Sequence, residues 1–158
     1  MDLMIRIYLE RAENEILASK SLKRLSEDEE AKEEFGIPPD TTFYSSVISH
    51  AYYAIFYSAK AALLTKKIET KSPEIHRKTF EEFKKQFVES GILDTELLMI
   101  YKKMIIRADE LLQIFKNEKW KRGHFTYETI PQANKKPAEE SVEHATKFVK
   151  NIRRVLES

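Results

Sequence analysis

The densest chemistry in the sequence lies at positions 119–127, Lys-Trp-Lys-Arg-Gly-His-Phe-Thr-Tyr. Lys119, Lys121 and Arg122 supply positive charge for phosphates. Trp120, Phe125 and Tyr127 offer π faces on which bases could stack. Gly123 lets the backbone turn closely. An imidazole titrates near ~6.5 when unperturbed, so His124 could act as general base toward a ribose 2′-hydroxyl. The same residues also suit a plain surface loop, with basic side chains complementing a helix C-terminus and aromatics closing the end of a bundle.

A second constellation is Ser46, His50, Tyr53, Tyr57 and Lys60, spaced 4-3-4-3 and therefore on one face of a helix. These side chains could line a cleft or a homodimer interface. Alternatively the tyrosine rings pack while their hydroxyls reach water or backbone. A third is Arg107 with Asp109 and Glu110, a ligand contact or a solvent-facing ion pair. His76 and His144 sit among charged residues and read as surface histidines.

Several chemistries are excluded. Three residues before His50, His76, His124 and His144 stand Val47, Pro73, Lys121 and Ser141, so the Glu-x-x-His of a di-iron bundle is missing. There is no HExxH, glycine-rich phosphate loop or GxSxG. With no cysteines, thiolate-ligated metal and disulfides are ruled out, and no metal or cofactor is expected. The net charge of +1 gives no global field toward nucleic acid or membranes, so any such contact must be local. The N-terminus lacks the features of a signal peptide, and no apolar run approaches the ~20 residues of a membrane span. A cytoplasmic protein without membrane contact is the expectation.

Helices must position these residues. Of 158 residues, 42% are hydrophobic, yet only 3 are glycine and 5 proline, too few for the turns of an all-β chain. Ile5, Leu9, Ala12 and Ile16 predict an amphipathic helix over about 4–25. The acidic run from Ser26, closed by Gly36 and Pro38-Pro39, reads as a long solvated connection over 26–41, with room for one helical turn. Asp40, Thr41 and Thr42 are N-cap candidates for a helix from Phe43 to Leu64 that is apolar on most sides and hence central. Ser72-Pro73 reads as the cap and first residue of a helix carrying Phe80, Phe83 and Phe87 and stopping at Ser90-Gly91. Asp94 opens another, reaching about Glu118, with Leu97, Tyr101, Met104, Ala108, Leu111 and Phe115 spaced 4-3-4-3-4. Pro137 opens the last, and Phe125–Ile130 is the one short strand candidate. The expected fold is all-α: one domain over 1–158, an up-and-down antiparallel four-helix-bundle core with a fifth helix.

The central helix contains Ser46, then His50-Ala51-Tyr52-Tyr53-Ala54-Ile55-Phe56-Tyr57-Ser58-Ala59-Lys60-Ala61-Ala62-Leu63-Leu64. This resembles the HEPN domain, in its small stand-alone prokaryotic and archaeal type. That family's helix shows a serine, Arg-Ala-Tyr-Tyr-Ala, an aromatic, small residues and paired leucines. Ala12-Glu13-Asn14, Lys71 to His76, Phe87 to Leu93, and Ala145 with Phe148-Val149 and Ile152 extend the resemblance over most of the chain. His50 stands where the family usually has arginine. The Arg-then-His spacing of HEPN ribonucleases does not follow Arg77, Arg107 or Arg122; Lys119 and His124 have it with lysine instead. Lysine cannot make arginine's bidentate phosphate contact.

The resemblance implies a nucleotide- or RNA-associated binding module, a non-catalytic partner of a nucleotidyltransferase or a toxin–antitoxin component. A homodimer is expected because the 4-3 seams and the tyrosine stripe offer more apolar surface than one small bundle buries. Two alternatives stand beside it: a metal-independent endoribonuclease using Lys119 or Arg122 with His124, and a purely structural assembly subunit.

Overall fold

The computed structural model describes residues 2–112 and 134–158. Along them run α1 (Leu3–Glu27), α2 (Glu29–Glu34), α3 (Tyr44–Leu64), α4 (Ile75–Phe83), a π turn (Lys84–Val88), α5 (Thr95–Leu112) and α6 (Lys135–Glu157). No strand occurs among the described residues. The strand candidate 125–130 lies outside them.

α3 is the axis. Fourteen of its 21 residues are buried, among them Val47, Ile48, Ala51, Tyr52, Ile55, Ala59 and Leu63, so neighbours must cover most of its circumference. The alanines at 51, 54, 59, 61 and 62 remove side-chain bulk and let those neighbours approach. α1, α6, α5 and α4 all pack on it. Polar rungs fix the directions. Ser19 Oγ donates to the Val47 carbonyl (2.7 Å), and the Phe43 amide donates to Ser26 Oγ (2.7 Å), so α1 and α3 are antiparallel. Arg153 pairs with Glu13, and Lys23 with Glu139, so α6 is antiparallel to α1. Lys147 with Glu96 and Arg107 with Glu140 make α5 and α6 antiparallel. The result is the all-α, up-and-down arrangement expected, with α1, α3, α5 and α6 as its core.

The acidic run departs from expectation. It is not a loop but helix on both sides of a break: α1 continues to Glu27, and Asp28 then caps α2 by accepting from the Ala31 amide (3.1 Å). Ala31 and Lys32 are buried, which gives this short helix an inner face. Its end is a Schellman closure: Gly36 is left-handed (φ 68°) and the Ile37 amide donates to the Lys32 carbonyl (2.8 Å). The described residues therefore hold six α-helices, not five.

Three helix starts also differ, among them that of α6, which begins at Lys135 and not at Pro137. Neither Asp40, Thr41 nor Thr42 caps α3; Phe43 holds the cap position without a side-chain bond, and the burial of Tyr44 and Val47 sustains the helix instead. α4 begins at Ile75 and not at Pro73, because Glu74 adopts a left-handed conformation (φ 59°) at the cap. Its last turn widens to a π turn that sets Phe83 and Phe87 in stacked contact, ring centres 5.7 Å apart. Gly91 (φ 84°) then reverses the chain, as expected. Asp94 Oδ1 accepts from the Glu96 amide (2.8 Å), confirming the start of α5.

Candidate functional site

One sector of α3 is left partly uncovered. His50, Tyr53 and Tyr57 are half-buried there, in register with α1 and next to α4. Ser46 lies one turn earlier on the same stripe, also half-buried. α1 supplies partners to His50 and Tyr57. Glu15 Oε2 stands 2.5 Å from His50 Nδ1. One turn on, Arg11 donates to the Tyr57 hydroxyl (2.8 Å) and lays its guanidinium 4.2 Å from that ring's centre. Tyr8 stacks on Tyr57 with centroids 6.2 Å apart. Tyr53 packs edge-on against Tyr52 and Phe56. Burial, with smaller contributions from Tyr57 and Glu15, raises the Tyr53 pKa, so this phenol remains a hydrogen-bond donor at neutral pH.

Lys60, the last member of the stripe, turns inward. It is 8% exposed, its ammonium 5.0 Å from the Tyr8 ring centre and 5.7 Å from that of Phe56. It also donates to the Thr70 carbonyl at 3.4 Å. His76 of α4 completes this end. It is not the surface histidine its charged neighbours suggest. The Tyr52 hydroxyl meets its Nδ1 at 2.8 Å, and its ring lies 4.6 Å from the Phe56 centroid. Burial, assisted by the charge on Lys60, pushes the His76 pKa down to about 4, so the ring is neutral near pH 7. The sequence hides this environment because Lys71, Glu74, Arg77 and Lys78, not the aromatics of α3, are the residues adjacent to His76 in the chain.

Arg107 occupies a separate position between α5 and the first turns of α6. Its side chain is 12% exposed. It donates to the Pro137 carbonyl (3.3 Å) and Ser141 Oγ (3.1 Å), and pairs with Glu140 at 3.2 Å. Lys103 pairs with the same carboxylate. Burial works to raise the Glu140 pKa, but the two cations outweigh it and hold the carboxyl below its usual range. His144 stands one turn further along α6, its Nδ1 sealed from solvent and 4.0 Å from Glu140. It too is half-buried, and burial first, then Lys103 and Arg107, lowers its pKa against the opposing pull of Glu140. Asp109, grouped with Arg107 by sequence, is buried. Glu140, Ser141 and His144 carry no sequence signal: they are about thirty residues from Arg107 and meet it only through helix pairing.

The structure thus brings His50, Tyr53 and Tyr57 together on one face, with Glu15 and Arg11 as partners that spacing within α3 alone does not reveal. Lys119, Trp120, Lys121, Arg122, His124 and Tyr127 lie outside the described residues. Among the described residues, no cluster of three or more His, Asp or Glu suits a metal ion.

Comparison with known proteins agrees with this architecture. A family model described as the HEPN domain matches residues 5–158. A Methanocaldococcus jannaschii protein named as a candidate toxin is 30% identical over 117 residues, covering 74% of each chain. A second protein of that organism, named in the same way, is 40% identical over 58 residues, 37% of each chain. No solved structure matches. The match over nearly the whole chain shows that this protein belongs to the HEPN domain family.

Proposed function

We propose that this chain is the binding component of a toxin–antitoxin type pair, associating with RNA or a nucleotide without cleaving it. One observation carries the reading: on a largely buried central helix, α1 and α4 leave His50, Tyr53 and Tyr57 partly accessible. A helix that buries fourteen residues and keeps a ready-made polar and aromatic stripe open has a surface for a ligand. The relative named as a candidate toxin supports the biological setting. The lack of a histidine at the family's ribonuclease distance after Arg77, Arg107 or Arg122 favours binding over catalysis. The proposal includes a single domain over 1–158, a homodimer, a nucleotidyltransferase as protein partner, and a cytoplasmic location. No helix among the described residues is long and apolar enough to cross a membrane.

The test is to incubate the purified chain with labelled single-stranded RNA in EDTA, following both complex formation and strand integrity. The expected result is a retained complex with intact RNA. Metal-independent cleavage that disappears in His124→Ala would overturn the reading in favour of the endoribonuclease.

A further inference from the structure

Residues 27–40 contain seven acidic side chains and one basic one, Lys32. Lys32 does not neutralise their surface. It is 6% exposed, and its ammonium is drawn inward to donate to the Pro39 carbonyl at 2.7 Å. Glu29, Glu30, Glu33, Glu34 and Asp40 are left exposed. Between α2 and the returning chain lies a groove of about 420 Å³, lined by Glu29, Lys32, Glu33, Ile37 and Pro39. Phe35, at the turn that closes α2, is 68% exposed. An apolar groove and an unprotected phenylalanine within an acidic surface form a combined feature that burial of the core does not explain.

The framework is fixed in advance. The Schellman closure at Gly36 and the Lys32–Pro39 bond hold Ile37 and Pro39 against α2, so a partner meets a preformed surface. The charge selects the partner. Nucleic acid and anionic lipid are repelled by these carboxylates, and two copies of the face would repel each other. A protein segment carrying lysines or arginines beside aliphatic side chains matches both components.

We infer that α2 and the turn after it are a docking surface for a basic amphipathic segment of another protein. An aliphatic side chain enters the groove against Ile37 and Pro39, a second apolar side chain of the segment meets the exposed Phe35 outside it, and the segment's cations meet Glu29, Glu33 and their exposed neighbours. This surface uses none of the residues assigned to RNA or nucleotide binding, so either idea can fail without the other.

The test pans a random dodecapeptide library on the full chain, then measures a selected peptide by calorimetry against wild type, Phe35→Ser, and the double variant Glu30→Lys, Glu34→Lys. All the substituted side chains are exposed, and circular dichroism verifies that the helices persist. The expected outcome is enrichment of peptides combining Lys or Arg with Leu or Ile. Their affinity should drop roughly tenfold or more in each variant, with amide shifts confined to about 28–41. Failure to enrich such peptides, or affinity unchanged in both variants, overturns the inference.

Discussion

Glu15 Oε2 and His50 Nδ1 lie 2.5 Å apart, tying α1 to the open face of α3 at the position where the family usually carries arginine. The pair is about one-third exposed, so water competes for both groups. His50→Ala should therefore cost only about 1 kcal/mol in urea unfolding at neutral pH. His50→Arg should recover that loss, because a guanidinium can pair with Glu15 bidentately. Equal destabilisation by both variants would show that arginine does not replace the histidine's contact with Glu15, and no loss in His50→Ala would show that the contact contributes nothing.

His76 makes stability depend on pH. In the folded chain its pKa is about 4, against about 6.5 when unfolded. The unfolded state therefore binds the extra proton first, and stability falls as pH drops from about 6.5 toward 4. The shift corresponds to at most about 3 kcal/mol. His76→Phe should flatten that part of the stability profile, and NMR titration of His76 should show a midpoint well below that of a free imidazole. A midpoint near ~6.5 would contradict the buried environment.

Arg107 links α5 to Pro137, Ser141 and Glu140. Arg107→Ala leaves the Glu140 carboxylate with less compensation and should cost about 2–3 kcal/mol. Arg107→Lys should restore only part of this, since an ammonium cannot reach three acceptors in the guanidinium's planar arrangement. Thermal melts of the two variants separate the outcomes: full recovery by lysine would mean that charge alone matters.

Ala59 is fully buried on α3. Ala59→Leu should overpack the bundle and cost about 1–3 kcal/mol in denaturant unfolding, although leucine favours helix as strongly as most residues. A neutral result would mean that the helices around α3 are not closely packed there.

The helical core was legible in the sequence because its signals are local and repeated. The near-continuous apolar run of α3, the phenylalanines at 80, 83 and 87, and Asp94 each mark an element within a few residues. α2 is hidden because a run with Ala31 as its single apolar residue gives no periodicity; what draws Lys32 inward is its bond to Pro39, seven residues on. The left-handed Glu74, one residue after a favourable Ser-Pro start, has no comparable signature. The polar stripe of α3 could be read from 4-3-4-3 spacing, whereas its partners Glu15 and Arg11 come from α1 across the bundle. His76 and His144 look like surface groups in sequence because the charge beside them says nothing about what helix packing brings against them.

The central claim is that the open face of α3 binds RNA or a nucleotide. NMR mapping of backbone amides and tyrosine rings during titration with a short single-stranded RNA tests it directly. Shifts should centre on residues 46–57 and the facing turns of α1, and the double variant Tyr53→Ala, Tyr57→Ala should weaken binding roughly tenfold while leaving the fold intact. Shifts that avoid this face, or affinity unchanged in the double variant, would contradict the account.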